Sequence, residues 1–311
     1  HPVSVSQLGN SVLHRRFALE RASRSHCIAV RHADLRPTPF GFVGFFPKRV
    51  KGDMKLLNAR FAPVTERDTV EWARRFLHTG KSGYITTVNV AILMMMRSRP
   101  RLQRFIDGAT LTVADGQPLV WLSKLLERPL PERVAGVELV ESLCRCAAEE
   151  NASVFLLGST SEVVAKVAAK LKQQNPTLRI VGVENGYFDR NKAAVKADQV
   201  RDSKANLLFV AMGVPRQEEF LEENWERLGV NLAIPVGGSF DVIAGCKRRA
   251  PEWIQKIGFE WLYRLCQEPK RLAKRYLITN CQFLFLAFFA LLKVMPQQFV
   301  EATSQSQQRP V

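Results

Sequence analysis

From residue 83 onward the chain repeats one alternation, a short apolar run followed by an amphipathic stretch of helical period. Runs at 83–88, 109–114, 152–157, 178–183, 206–212 and 232–236 have the length and β-branched content of buried strands. Helical patterns at 69–78, 90–105, 117–126, 137–149, 161–174, 192–202 and 215–228 flank them. Strands that are apolar on both faces need cover on both sides, and parallel neighbours need long crossovers. The alternation therefore predicts an α/β fold, a mostly parallel sheet with helices on both faces. The unit around 152–174 reads most clearly. Leu156-Leu157-Gly158 ends a strand, Ser159-Thr160-Ser161-Glu162 has capping-box spacing, and Val163, Val164, Val167 and Leu171 form one stripe.

The charge lies at the two ends. Of a formal net +16 over 311 residues, 1–53 carry +6 and 245–311 carry +7. Basic ends suggest anionic partners: membrane phospholipid, nucleic acid or a phosphate-bearing substrate. Nucleic acid is set aside, because no aromatic stacking motif or recognition helix accompanies the charge. The first methionine is Met54, where the regular pattern begins. Residues 1–53 therefore read as a basic extension, disordered or outside the native chain, with no cleavable signal peptide. The six cysteines show no CxxC spacing and fit reduced cytosolic thiols.

Past Gly245 the character changes. Lys247-Arg248-Arg249 leads into an aromatic helix from Trp253 to Tyr263, and a second basic cluster precedes an apolar run at 283–292. Ten residues bounded by Gln282 and Lys293 are short for crossing a bilayer. An apolar helix beside cations suits docking at an anionic membrane surface, with a core or homo-oligomer helix as the competing reading. The division expected is a core at 54–245, a helical appendage at 246–295 and a disordered tail at 296–311.

Polar groups cluster where apolar runs end. Asp115 follows Ala109–Ala114 and precedes Gly116, the carboxyl edge of a strand, where open α/β sheets place their ligand crevice. It could equally cap the next helix. Thr87 and Asn89 end another strand, and Asn89 is also a good N-cap. Gly158 and Ser159 open a helix whose free N–H groups could hold a phosphate. Gly213 leads to Gln217, and Gly237-Gly238 forms either a turn or a loop a ligand can approach. Arg133 supplies a cation between turn signals and a helix. No GxGxxG, P-loop, GxSxG or DxD pattern is present, and four of the five histidines lie before residue 54. These absences leave a carboxylate as base and arginine or lysine as counter-charge, with no metal site and no cofactor.

In order and spacing these segments resemble the WecG/TagA/CpsF family of bacterial glycosyltransferases (glycosyltransferase family 26). The matching text is Thr87-Val88-Asn89, Ala114-Asp115-Gly116, Arg133-Val134-Ala135-Gly136, Asn185-Gly186-Tyr187-Phe188, Val210–Glu218, Gly237–Gly245, Arg249-Ala250-Pro251-Glu252-Trp253, Glu260–Leu265 and Glu268-Pro269-Lys270-Arg271. The resemblance implies a Rossmann-like sheet and a metal-independent, inverting transfer. A hexose or N-acetylhexosamine would pass from a UDP-sugar to a sugar on a polyprenyl diphosphate, at the inner face of the cytoplasmic membrane. It further implies Asp115 as the base, Arg133 as a cation near the substrate, and Thr87, Asn89 and Gln217 as pocket residues. Arg264 and Arg271 of the appendage would contact diphosphate, with Lys274 or Arg275 in place of a further arginine. Two other readings of the residues stay open: a nucleotide-dependent oxidoreductase or epimerase, and a non-catalytic nucleotide-sugar-binding protein.

Overall fold

A computed structural model describes residues 52–306, with side chains described as far as residue 292 apart from Arg271. The expected extension 1–53 lies almost wholly outside the described residues.

A hairpin comes first, β1 (Met54–Leu56) and β2 (Ala59–Phe61), which the sequence reading did not anticipate. Its strands are three residues long, below the length at which alternation is legible. Then follow α1 (Glu66–Leu77), β3 (Gly83–Val88), α2 (Val90–Ser98), α3 (Pro100–Asp107), β4 (Leu111–Ala114), α4 (Gln117–Leu125), α5 (Gly136–Glu149) and β5 (Ser153–Gly158). The second half comprises α6 (Ser161–Gln174), β6 (Arg179–Glu184), α7 (Ala193–Asp202), β7 (Leu207–Ala211), α8 (Arg216–Leu228), β8 (Leu232–Pro235) and α9 (Ser239–Ile243). Helices α10 (Glu252–Lys256), α11 (Glu260–Gln267) and α12 (Pro269–Ser306) close the described chain.

Strands β3–β8 form one parallel sheet in the order β4-β3-β8-β7-β5-β6. The mixed α/β class expected from the sequence is the class found. Successive residues of a strand point to opposite faces, and along β7 this divides the core. Leu207, Phe209 and Ala211 pack into one cluster with α1, α5, α6 and α9, whereas Leu208 and Val210 pack into another with α2, α3, α4, α7 and α8.

Two local expectations shift. The helix expected over 90–105 is broken at Arg99, which has φ −131° and ψ 87°. Pro100 explains the break, since its ring disfavours helical geometry in the residue before it. The capping box expected from Ser159 to Glu162 does not form: Thr160 is the cap of α6, accepting from the Val163 N–H, and Ser159 bonds Asp241 instead. A true capping box starts α1, where Thr65 and Asp68 satisfy each other's backbone N–H.

The C-terminal helix is longer than the apolar run suggested. Leu272–Leu292 is, by length and composition, apolar enough to cross a membrane, with mean hydropathy 1.5 over its most apolar stretch. The expectation of a ten-residue segment counted only the uninterrupted run and left out Leu272, Tyr276, Leu277 and Ile278 on the turns before it. The α12 helix packs one face on α2, burying Phe283, with Leu286 and Leu291 beside it. Its other face leaves Leu284, Phe285 and Phe288 more than half exposed.

Candidate active site

The carboxyl ends of β3, β4, β7 and β8 open into a cleft enclosing about 310 Å³, roofed by α10, α11 and the start of α12. Thr87, Asn89, Asp115, Arg133, Ser159, Gly213, Gln217, Gly237, Gly238 and Arg264 all line it. Segments more than 170 residues apart in sequence thus meet at one place.

Asp115 is set by the ladder on which it sits. Its N–H donates to Val88 O (2.9 Å), and the next loop is tied down by Val134 N–H to Ala114 O (2.9 Å). Helix α4 is capped at Gly116 without a side-chain bond, so Asp115 is not its cap. Among the described residues no hydrogen-bond or ion-pair partner reaches this carboxylate. It touches the cleft yet lies deep in the protein, and burial pushes its pKa up to about 7. The charge of Glu260 pushes the same way, Arg264 and Arg133 pull back, and Glu138 adds a smaller upward push.

Arg133 is not a free cation. Nη1 donates to Glu260 Oε2 (2.8 Å), and Nη2 donates to Glu138 Oε1 (3.1 Å) and Gln255 Oε1 (3.0 Å). Arg249 also pairs with Glu138. On α11, Arg264 Nη2 donates to Glu260 Oε1 (2.6 Å). Burial opposes the Arg264 charge, yet the carboxylates of Glu260 and Asp115 outweigh it and hold this guanidinium above its usual pKa.

The other wall is built on α8. Gln217 is buried, its Oε1 accepting from Gly237 N–H (2.9 Å) and its Nε2 donating to Glu218 Oε1 (2.8 Å). Glu218 is buried too, its Oε2 has no partner among the described residues, and desolvation raises its pKa to about 7. Ser159 Oγ donates to Asp241 Oδ1 (2.8 Å), and Lys247 bridges Asp241 (2.7 Å) and Glu268 (2.8 Å).

Not every expected residue faces the cleft in the expected way. Asn89 lines it, but its Oδ1 is also the cap of α2, accepting from Ile92 N–H (3.1 Å). Gly158 does not line it. A Cβ there would meet Ala211 O at 2.5 Å, so this glycine serves the close approach of β5 to β7. The Arg271 side chain lies outside those described. Of the two neighbours offered in place of a further arginine, Arg275 lines the cleft and Lys274 does not.

Glu260, Glu138, Gln255, Glu218 and Asp241 were missed. One signal was legible, because Glu260 stands four residues before Arg264, the spacing of a helical ion pair. Among the described residues no group of three His, Cys, Asp or Glu is placed to share a metal ion.

An α/β sheet whose crevice holds an unpaired carboxylate among guanidinium groups is equipped for proton abstraction beside a developing anion, as in group transfer from an activated donor. The model of the glycosyl transferase WecG/TagA/CpsF family matches residues 54–297, and the chain belongs to that family. It is a glycosyltransferase. A relative from Bacillus spizizenii, named N-acetylglucosaminyldiphosphoundecaprenol N-acetyl-beta-D-mannosaminyltransferase, is 33% identical over 196 residues, covering 63% of this chain and 76% of the relative.

Proposed function

We propose that this protein transfers a hexose or N-acetylhexosamine from a UDP-sugar to a sugar carried on a polyprenyl diphosphate, with inversion and without a metal ion. The observation that carries this reading is the Asp115 carboxylate, unpaired at the cleft floor and poised near neutrality. The acceptor hydroxyl attacks the anomeric carbon as Asp115 takes its proton. The bond from that carbon to the diphosphate oxygen breaks, and the electron pair leaves with the nucleotide. Arg264 and Arg275, both at the cleft, stabilise the departing charge. Arg133 acts through its ion pairs, and Thr87, Asn89 and Gln217 shape the sugar pocket. Ser159, Gly213, Gly237 and Gly238 leave room for the nucleotide.

The relative's printed name, with its undecaprenol-linked diphosphate, supports a lipid-borne acceptor. The sheet is read as Rossmann-like, with a core ending near residue 245 and a helical appendage beyond it. That appendage holds the enzyme at the inner face of the cytoplasmic membrane. The exposed face of α12 and the cations preceding it support this placement, since they would meet acyl chains and anionic headgroups together.

The test is Asp115→Asn with a UDP-sugar and a short-chain polyprenyl-diphosphate acceptor. Turnover should fall by at least about a hundredfold while UDP binding stays close to that of the parent and the melting temperature does not fall. Undiminished turnover would remove Asp115 from the mechanism.

A further inference from the structure

Glu260 opens α11 and divides its carboxylate between two guanidinium groups. Oε2 accepts from Arg133 at 2.8 Å and Oε1 accepts from Arg264 at 2.6 Å. Arg133 belongs to the loop before α5 in the core, and Arg264 lies one turn along α11. One carboxylate therefore ties appendage to core and, in the same contact, fixes two cations near Asp115. The row continues through Glu138, which pairs with Arg133 and with Arg249. Gln255 of α10 takes a further Arg133 N–H.

Stability alone does not account for this row. The side chains of Arg133 and Glu260 are 14% and 17% exposed, and at such depth the desolvation of an ion pair offsets much of its attraction. Apolar side chains would dock α11 at least as well. The row makes sense if the placement of the charges matters. Among the described residues Asp115 has no hydrogen-bonded partner; burial sets most of its raised proton affinity, and the charges facing it tune the rest: Glu260 and Arg264 from α11, Arg133 from the loop and Glu138 from α5.

We propose that Glu260 is a positioning residue for the transfer, one that locks Arg133 and Arg264 beside Asp115 and makes the docking of α11 a condition for the charge arrangement around that carboxylate. The inference rests on Asp115 being the base. With α11 lifted away, Asp115 would lose one carboxylate neighbour and one guanidinium neighbour together, and Arg133 would lose the acceptor that orients Nη1.

The experiment compares Glu260→Gln and Glu260→Asp in the full chain, with kcat/KM followed across pH. Glutamine keeps the shape and one acceptor oxygen but removes the charge that opposes ionisation of Asp115. Its ascending limb should move to lower pH by at least about half a unit. Its kcat at alkaline pH should drop about tenfold, through a weaker base and a loosened Arg133. Aspartate keeps the charge, so its limb should stay near that of the parent even if kcat falls. A merely structural role lowers kcat and leaves the limb in place, because limb position does not depend on how much enzyme is folded. An unmoved limb, or a shift to higher pH, overturns the proposal. Asp115→Asn assayed alongside separates the two claims. If that variant is inactive while the Glu260→Gln limb is unmoved, only the role of Glu260 fails; if it is active, the base assignment fails first.

Discussion

Asp115 and Glu218 both have pKa values near 7 with burial as the leading cause, yet their surroundings give them different work. Asp115 faces an open cleft with four charged neighbours, where a proton can arrive from a ligand. Glu218 is buried away from that cleft, beside a separate pocket between α3 and α8, and its carboxylate accepts from the Gln217 amide. Its folded pKa stands above the unfolded value near 4.5, so the folded state holds the proton more tightly. The resulting stability is present below about pH 4.5 and is lost as pH rises through about 7. Glu218→Gln keeps the contact with Gln217 and carries no charge. It should therefore stabilise the protein relative to the parent at about pH 8, by up to about 3 kcal/mol, and do little at about pH 4. Thermal unfolding of both proteins at the two pH values measures this. Equal effects at both would show that Glu218 is not a buried carboxyl of raised pKa. The sequence placed this residue in the segment 210–218 but gave it no role, because a glutamate near a helix start looks like any favourable first-turn acid.

Among the elements, the strands were the most legible. Buried parallel strands read as unbroken apolar runs, and β3, β5 and β7 fall where those runs lie. Boundaries held less well where a single residue overrides a pattern, as Pro100 does between α2 and α3. Apart from the Glu260–Arg264 spacing, the row from Arg249 to Arg264 was not legible, since Arg133 and Glu260 are 127 positions apart and nothing local to either announces the other. The end helix was legible in kind but not in length. Its packing on α2 settles which face is covered, and Phe285 and Phe288 stand on the uncovered one. Replacing both by serine should leave the melting temperature nearly unchanged, because neither side chain is buried. Binding to vesicles containing anionic phospholipid should weaken at least tenfold, since each ring contributes roughly 1.5–3 kcal/mol when it leaves water. Co-sedimentation would register the loss, and unchanged binding would mean that another surface meets the lipid.

At the scale of the molecule, the strand ends and the helices after residue 245 line one cleft, and the proposed function gives them complementary parts. In the proposed reading the sheet contributes the carboxylate and the sugar pocket, both at strand ends tied by backbone hydrogen bonds. The appendage contributes cations, the carboxylate that pins them, and an apolar face beside basic residues. Such a division suits an acceptor whose lipid stays in the bilayer while its sugar reaches a soluble fold. All of it depends on Asp115 being a base with a pKa near neutrality. The most direct measurement is the pH dependence of kcat/KM for the unmodified enzyme. A rise of about tenfold per pH unit that levels off near pH 7 is the result expected. A profile already flat at about pH 5, the behaviour of an ordinary solvated carboxylate, would contradict it.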